Sequence, residues 1–380
     1  MPLLVLYNPV CGSRSSKSFT EEHIIPLLEQ HNIAVDSVLA TEYPGHAGAL
    51  VADYLKRSFA DLTIILASGD GTLHEIINNY TPPRRSPPND HQVLITPQIF
   101  LVLVPTGTAN ALYSSLFPPT KNEDISSVEY KLQSLRAYLD GKPSVPLTLS
   151  VTTFLPPSDS QVQERTVVSA VVTSTSAHAS ILHDSEELRK EFPGIERFKV
   201  AAQRNSKRWY NATVKLFPSS LSGAVQIYKP ISRQFINHPE WATEKPVVEL
   251  KGPFIYFLST VNVDRLEPEF RITPLARTLP SKGATYDIVI VRPLRDPSNA
   301  RADDEARAQY DQEGRVVSEG DGPLVVEYIR CGGWEWLPGD DDERAPLVCA
   351  DGDILTIERG GKAVSFASTP SADTGFAVYG

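Results

Sequence analysis

Short apolar runs rich in β-branched residues recur along the first third of the chain, and a loop of small polar residues follows each one. The runs at 3–7, 62–67 and 99–104 are typical of buried parallel strands. A strand at 33–39 and helices at 19–30 (interrupted near Pro26), around Leu50 and Tyr54, and at 128–140 are also predicted. Alternation of strands and helices predicts a doubly wound α/β domain with a mostly parallel sheet.

From residue 145 onward the pattern changes to β-rich runs. These runs lie at 147–151, 167–172, 247–250, 254–258 and 288–291. They predict an antiparallel, sandwich-like C-terminal domain. A chain of 380 residues is too long for one compact core, and Gly141-Lys142-Pro143 is a plausible boundary. We therefore expect two domains, 1–145 and 146–380.

Three stretches interrupt this pattern and are expected to lie outside regular structure. The Pro-rich stretch at 81–97 predicts a loop, and the stretch at 156–164 is expected to lie outside the second core. The alternating charges of 293–321 predict a solvated, mobile insertion.

The strand at 62–67 ends in Ser68-Gly69-Asp70-Gly71-Thr72, and apolar residues at helical spacing follow. The two glycines permit backbone geometry and close ligand approach that a β-carbon would prevent. The N-terminus of the next helix favours anions. Because a carboxylate repels phosphate, Asp70 is expected to hold a metal or to take a proton from a hydroxyl. An ordinary tight turn is the alternative, and His74 and Glu75 are interpreted as structural.

Two more strand ends carry loops of the same kind. The strand at 99–104 leads into Pro-Thr-Gly-Thr-Ala-Asn at 105–110, and the strand at 3–7 leads into Asn-Pro-Val-Cys-Gly-Ser at 8–13. Ligands of open α/β sheets bind at the carboxyl ends of the strands. The three loops are therefore expected to converge on one crevice.

These three ordered motifs together resemble the diacylglycerol kinase catalytic domain superfamily of lipid kinases. Ser-Gly-Asp-Gly followed by His-Glu is most similar to its sphingosine kinase branch. The resemblance implies a kinase that uses ATP and Mg²⁺ to phosphorylate the primary hydroxyl of a long-chain lipid, a sphingoid base or ceramide. It also implies an N-terminal nucleotide-binding domain, a C-terminal lipid-binding domain with the reaction between them, and Asp70 as the catalytic base.

The resemblance further implies a set of residues that bind the nucleotide. In this first domain they are Asn8, Ser13, Lys17, Thr41, Ser68, Gly69, Gly71, Thr72, Gly107, Thr108 and Asn110. The first loop departs from the family pattern, since Ser13 and Ser15 stand where glycine is common. Hydroxyl groups can also donate to phosphate.

A later segment, 176–198, is similar to the family's substrate-side motif. The resemblance assigns Arg189 and Arg197 to the nucleotide phosphates and Ser180 and Leu182 to the substrate. Leu182 stands where sphingosine kinases carry the acid that binds the sphingoid ammonium, so a neutral lipid alcohol becomes credible. Without the resemblance, this run would be interpreted as a solvated helix end.

Near the end of the chain, Asp351-Gly352-Asp353 resembles the family's Asp-Gly-Glu motif. The resemblance implies that all three residues lie at the nucleotide site and that Asp353 binds magnesium, although Asp is shorter than Glu. Mg²⁺ usually keeps several of its water ligands when it binds to a protein, so a water can bridge the ion and the shorter side chain of Asp353. The alternative is a simple hairpin turn, for which Asp-Gly is a strong signal.

Composition restricts the partners and the compartment. A formal net charge of −10 argues against nucleic-acid binding and against attraction of the whole molecule to anionic membranes. Three cysteines without metal-ligand spacing favour a reducing compartment, and no signal peptide or spanning run is evident. We expect a cytoplasmic protein that contacts intracellular membranes peripherally, where its lipid substrate is presented.

Three other functions stay open at this point. A diacylglycerol kinase would share all the motifs, and the altered first loop is compatible with a catalytically silent, lipid-binding relative. An NAD kinase shares the Gly-Asp-Gly turn, but the Gly-Thr-Ala-Asn-Ala loop and the Arg189/Arg197 segment speak against it.

Overall fold

The computed structural model describes residues 1–58, 60–80, 97–192, 196–281, 283–295, 325–368 and 375–380. They form two compact units. The first contains Met1–Leu149, Arg265–Arg271 and Thr369–Gly380, and the second contains Ser150–Asp264 and Ile272–Ser368. The predicted boundary after residue 145 lies close to the observed one, but two later segments also belong to the first unit.

The strands and helices are numbered here in chain order. The strands are β1 (Leu3–Tyr7), β2 (Ser37–Ala40), β3 (Leu62–Ser68), β4 (Ile99–Pro105), β5 (Ser144–Pro146), β6 (Ser150–Leu155), β7 (Arg165–Ser169), β8 (Val172–Thr175), β9 (Ala212–Phe217), β10 (Gln226–Lys229), β11 (Gln234–Asn237), β12 (Val248–Lys251), β13 (Tyr256–Thr260), β14 (Tyr286–Val291), β15 (Val326–Cys331), β16 (Gly333–Pro338), β17 (Leu347–Ala350), β18 (Asp353–Thr356), β19 (Lys362–Ala367) and β20 (Phe376–Tyr379). The α-helices are α1 (Ser16–Phe19), α2 (Ile25–Gln30), α3 (His46–Ser58), α4 (Asp70–Tyr80), α5 (Ala111–Leu116), α6 (Val128–Lys131), α7 (Gln133–Leu139), α8 (Ser176–Glu187), α9 (Glu196–Asn205) and α10 (Leu275–Thr278).

The first unit contains a six-stranded sheet in the order β2-β1-β3-β4-β20-β5. Its strands pair in parallel, apart from β5, which runs antiparallel to β20. Strand β3 is buried along its whole length, which explains its continuous apolar sequence. The prediction of a mostly parallel sheet is confirmed, whereas the pairing of the C-terminal strand β20 with β4 was not predicted.

Helices cover the sheet through an apolar core. Val5, Ile65 and Val102 of the central strands pack with Leu28 of α2 and Leu135 of α7. The covering helix predicted at 19–30 is continuous through a π-helical segment, Thr20–Ile24. Pro26 lies just after this segment, where the hydrogen-bond pattern of the helix changes from π to α. The helix predicted at 128–140 forms as two short ones, α6 and α7.

The second unit is a sandwich of two antiparallel sheets. Their orders are β11-β10-β15-β14-β13-β8-β17-β18 and β12-β9-β16-β19-β6-β7. Trp334 and Trp336 of one sheet pack against Phe257, Ile288 and Ile329 of the other. The predicted sandwich is therefore confirmed, with strand ends that differ by at most four residues from the ends of the apolar runs.

The three predicted irregular stretches differ in how far the structure describes them. Residues 156–164 form the connection between β6 and β7, as expected. Of the expected loop at 81–97, only Pro97 belongs to the described residues. Of 293–321, Pro293–Arg295 form a short 3₁₀ helix and the rest lies outside the described residues. Among the helices described, none is long and apolar enough to cross a membrane.

Candidate functional site

The loops that follow β1, β3 and β4 meet at one edge of the parallel sheet. The Asn8 amide donates to the Ala67 carbonyl at 3.2 Å, and the Gly107 amide donates to the Ser68 carbonyl at 3.2 Å. Thr41, at the end of β2, lies beside this edge because its amide donates to Tyr7 at 3.0 Å. The predicted convergence is thus observed.

Close backbone approach between two loops requires glycine at specific positions. A β-carbon on Gly107 would lie 2.5 Å from the Cα atom of Gly69, closer than any real contact. On the first loop, Gly12 has a φ of +47°, and a β-carbon there would lie 2.2 Å from the Thr106 carbonyl oxygen. These glycines are therefore required by packing between loops, independently of any ligand.

Gly71 has a different environment. It lies in the first turn of α4, is exposed, and a β-carbon there would meet no atom within 4 Å. Thr108 on the neighbouring loop is also exposed. The site's accessible surface therefore includes the N-terminal turn of an eleven-residue helix, where backbone N–H groups and the helix dipole favour anions.

The carboxylate of Asp70 joins two of these loops. It accepts hydrogen bonds from the amides of Ala111 at 2.7 Å and Leu112 at 3.2 Å, the first two residues of α5. Asn110, with a φ of +52°, completes the turn through hydrogen bonds between its side chain and Gly107. Asp70 thus caps the helix of the next loop.

A small cavity of about 10 Å³ lies beside Asp70, between the ends of β3 and β4. Ser68, Asn110 and Tyr113 also line it. It has space for about one water molecule, so the carboxylate could contact solvent as well as the α5 amides.

Some predicted nucleotide ligands are engaged in the protein interior instead. Ser68 and Thr72 are buried, their hydroxyls lie 2.6 Å apart, and Asn8 donates to Thr72 at 3.3 Å. His74 is also buried and contacts Asn78, in agreement with its structural interpretation. The hydroxyls of Ser68 and Thr72 therefore hold the first and second loops together.

The first loop presents the remaining predicted side chains to solvent. The hydroxyls of Ser13 and Ser15 lie 3.0 Å apart, and Lys17 lies 3.8 Å from Glu21. Cys11, which the sequence did not single out, contacts Thr106 with its Sγ atom 3.4 Å from the hydroxyl. In the sequence, the only indication of the contact between Cys11 and Thr106 is that Cys11 is a small residue directly before Gly12.

The second unit contains the substrate-side segment on helix α8. Ser180 is fully buried there, and Leu182 is partly buried and packs against Leu347 and Cys349. The leucine side chain is thus part of a small apolar cluster.

Asp184 is a buried junction between α8, α9 and the loop before β17. Its carboxylate accepts hydrogen bonds from Asn205 at 2.8 Å and pairs with Arg344 at 2.9 Å. Burial alone raises the pKa of Asp184, but the hydrogen bonds from Asn205 and His183 and the charge of Arg344 outweigh it and lower that pKa.

His183, Asp184 and Glu187 place potential metal-ligand atoms within 4.8 Å of one another. Arg344 lies 2.9 Å from both His183 and Asp184. Its guanidinium already supplies the positive charge, so this group does not fit a metal ion.

Arg189 and Arg197 lie in the same part of the second unit. Arg189 is exposed and pairs with Glu186 at 2.6 Å, and Arg197 stacks over the Phe198 ring at 4.5 Å. Burial and the charge of Arg189 lower the pKa of the Arg197 guanidinium, so the two cations lie close enough to interact. Two neighbouring guanidiniums are suited to binding an anion.

The Asp351-Gly352-Asp353 segment is the turn of the β17–β18 hairpin, as the alternative interpretation predicted. Asp351 is buried, and its carboxylate accepts from the amides of Ala170, Val171 and Val172 at 2.7 to 3.0 Å. This carboxylate therefore supports the strand connection between β7 and β8.

The other two residues of the turn are open to solvent. Gly352 has a φ of +99° with open space around it. Asp353 is about half exposed and lies 4.0 Å from Arg165. Its assignment to magnesium stays a prediction.

Part of the chain is similar in sequence to known proteins. Residues 2–137 match the family model of the diacylglycerol kinase catalytic domain. Sphingosine kinase 1 of Arabidopsis thaliana is 29% identical over 117 residues, which are 31% of this chain and 22% of that protein. Sphingosine kinase 1 of Homo sapiens is 31% identical over 129 residues, which are 32% of this chain and 31% of that protein.

A solved structure from Bacillus anthracis, described as a diacylglycerol kinase, has the same fold. It matches with a TM-score of 0.52 at 13% identity and covers 100% of this chain and 97% of that one. The curated sphingosine kinases are matched over less than a third of their length. The loops that meet at Asp70 all lie within residues 2–137, the part of the chain that matches the diacylglycerol kinase catalytic domain model.

Proposed function

We propose that this protein is an ATP-dependent lipid kinase that transfers the γ-phosphate to the primary hydroxyl of a long-chain lipid. The main support is the position of Asp70, held by two backbone amides where three loops of the family domain meet. Phosphoryl transfer needs positioning and charge stabilisation more than covalent chemistry. A fixed carboxylate beside an anion-favouring helix N-terminus meets both needs.

The nucleotide is proposed to place its phosphates along the first turn of α4. Gly71 leaves open space there, and Thr108 adds an exposed hydroxyl. The buried hydroxyls of Ser68 and Thr72 hold the loops in place, so the direct contacts come mainly from backbone amides.

Magnesium fits the oxygen donors present in the described residues. The Asp70 carboxylate supplies oxygen donors next to the exposed turn at Gly71, and such oxygens are the ligands that Mg²⁺ prefers. When bound, Mg²⁺ would neutralise the charge that develops on the phosphate oxygens.

The proposed role of Asp70 is to accept the proton of the lipid hydroxyl as the oxygen attacks phosphorus. The amides of Ala111 and Leu112 fix the carboxylate, so that it need not reorganise during the reaction. A positioned general base contributes roughly 10²–10⁴-fold to a rate.

The proposed lipid is a neutral alcohol, such as ceramide or diacylglycerol, presented at a membrane surface. Leu182 cannot hold an ammonium group. Of the acids on α8, the buried Asp184 pairs with Arg344 and the exposed Glu186 pairs with Arg189, whereas Glu187 lies five residues further along the helix. An unpaired ammonium is costly to bury, so a sphingoid base is expected to bind less well than a neutral lipid.

Turnover of ATP with a panel of long-chain lipid alcohols tests the proposed function directly. We expect phosphorylated lipid to form in the presence of Mg²⁺. A catalytically silent relative would bind lipid without consuming ATP, and an NAD kinase would phosphorylate NAD instead. Either result would contradict the proposal.

Asp70→Asn is expected to lower kcat by roughly 10²–10⁴-fold while ATP affinity is largely retained. The amide oxygen can still accept one α5 hydrogen bond, so the cost in unfolding free energy should be about 0.5–2 kcal/mol. Asp61→Asn is the matched control, because Asp61 also accepts from a backbone amide, that of Gln98 at 2.8 Å. Near-normal turnover by Asp70→Asn would show that this carboxylate is only a helix cap.

Gly71→Ala and Gly107→Ala should separate ligand contact from loop packing. Gly71→Ala adds a methyl group in open space inside a helix, so Tm should stay level or rise while ATP affinity falls about tenfold. Gly107→Ala forces apart two backbones, so the unfolding free energy should fall by about 1–3 kcal/mol. Unchanged ATP affinity in Gly71→Ala would place the phosphates elsewhere.

Arg189→Ala and Arg197→Ala test the assignment of this pair to the nucleotide phosphates. Each should lower kcat/KM by roughly 10²-fold, as expected for a lost contact to transition-state charge, with little change in Tm. The control is Arg204→Ala, which removes an exposed cation from α9, the helix that carries Arg197. Early melting with normal specific activity would show that the arginines are structural.

The lipid assignment is tested by kcat/KM for sphingosine, ceramide and diacylglycerol. The wild-type chain should prefer the neutral lipids, and Leu182→Asp should improve sphingosine relative to the uncharged control Leu182→Asn. The proposal of a neutral lipid is wrong if the wild-type chain prefers sphingosine tenfold (about 1.4 kcal/mol) and Leu182→Asp adds nothing.

A further inference from the structure

The loop between β10 and β11, Pro230-Ile231-Ser232-Arg233, projects an apolar side chain into solvent. Ile231 is 94% exposed, the largest exposed fraction among the large apolar side chains of the described residues. Isolated exposed apolar residues are common, so the surroundings of Ile231 decide whether its exposure has a function.

The hairpin holds Ile231 in place. Strands β10 and β11 pair from Gln226↔Asn237 to Lys229↔Gln234, and the Arg233 amide closes the loop onto Pro230 at 3.3 Å. At its base, Phe235 packs against Tyr228 and Tyr328, and the Arg330 guanidinium lies 4.1 Å from the Phe235 ring centre. The projection of Ile231 is therefore a feature of an ordered and anchored turn.

Positive charge flanks the tip on both sides. Lys229 precedes the loop and Arg233 ends it, and residues 226–237 contain no Asp or Glu. Strand β10 pairs with β15 in antiparallel orientation at Ile227↔Ile329. When this register is continued by two residues, Lys229 lies opposite Glu327. Glu327 is buried and already pairs with Arg292 at 2.7 Å and with Arg295 at 2.9 Å, so among the described residues it does not compensate the charges of the tip.

A second apolar side chain lies at the same end of this sheet. Strand β14 pairs with β15 up to Val291↔Val326, and the chain then forms the short 3₁₀ helix Pro293–Arg295. Leu294 of this turn is 45% exposed, between Arg292 and Arg295. The end of the sheet thus presents two apolar side chains, Ile231 between Lys229 and Arg233, and Leu294 between two arginines that pair with Glu327.

We propose that the β10–β11 hairpin inserts Ile231 into the surface of an anionic membrane, with Lys229 and Arg233 at the level of the headgroups. This inference deepens the proposed function, because it names the surface by which a lipid kinase reaches its substrate. A formal net charge of −10 repels the whole chain from such a membrane, so a local basic surface is needed.

A bilayer suits this surface better than a protein does. A stable protein interface buries about 800 Å² on each partner, which one projecting side chain cannot supply. A bilayer accepts a single apolar group while its anionic headgroups attract the flanking cations. The arrangement of one apolar tip between two cations is complementary to that boundary.

The test is co-sedimentation of the full chain with lipid vesicles in the absence of ATP. Vesicles of phosphatidylcholine alone are compared with vesicles that also contain phosphatidylserine. We expect binding to the anionic vesicles that weakens with added salt. Ile231→Glu should lower the partition coefficient at least tenfold, whereas Val162→Glu, which changes another exposed apolar residue of the same unit, should leave it within twofold of wild type.

The flanking cations are tested separately. Lys229→Gln and Arg233→Asn should each weaken binding roughly fivefold and reduce its salt dependence. Asn is chosen because Arg233 has a φ of +52°, a conformation that Asn tolerates. Unchanged Tm values in the hairpin variants show that lost binding comes from the surface and not from unfolding.

Binding of Ile231→Glu equal to wild type would overturn the inference. A change in oligomeric mass on Ile231→Glu without a change in vesicle binding would also overturn it, because the tip would then contact a second copy. Activity on detergent-dispersed lipid separates this inference from the proposed function. Wild-type binding that depends on Ile231 supports the inference even if no lipid is phosphorylated.

Discussion

The contact on which the candidate site depends is the approach of two strand-to-helix turns, one after β3 and one after β4. Gly69 and Gly107 allow the two backbones to touch, since a β-carbon on Gly107 would lie 2.5 Å from the Gly69 Cα atom. Asp70 then fixes the geometry, because its carboxylate accepts the amides of Ala111 and Leu112. One turn therefore caps the helix of the other. The N-terminus of α4, the carboxylate and the exposed surface at Gly71 keep a fixed mutual arrangement as a result.

Much of the first unit could be predicted because buried parallel strands have continuous apolar sequences. Strand β1 has the predicted bounds, and β3 and β4 each extend one residue beyond them. Strand β20 was not predicted to join this sheet, since four residues at the end of the chain carry no signal for a partner near residue 99. Contacts between residues this distant in sequence depend on the whole fold. Residues Arg265–Arg271 belong to the first unit although the chain on both sides of them belongs to the second. This placement also depends on contacts between residues that are distant in sequence, so it was not predicted.

The candidate site shows a similar division between what the sequence could and could not predict. The pattern of small residues and glycines after each strand correctly predicted where three loops meet. It could not predict the partners of the polar side chains in those loops. Ser68 and Thr72 bond to each other, and Asp351 supports a strand connection about 180 positions away in sequence. A motif specifies the type of side chain, whereas its partner is set by the fold.

The same distinction bears on the charge of the substrate. Counting acids near Leu182 would suggest that α8 can still bind a cation, because Asp184 and Glu186 lie close to it in sequence. The structure pairs both, Asp184 with Arg344 and Glu186 with Arg189. A buried acid attracts a ligand cation only if no protein cation has already compensated it. The local balance of charge, and not the number of acids, therefore decides whether α8 could bind a cation, and Leu182 itself joins an apolar cluster.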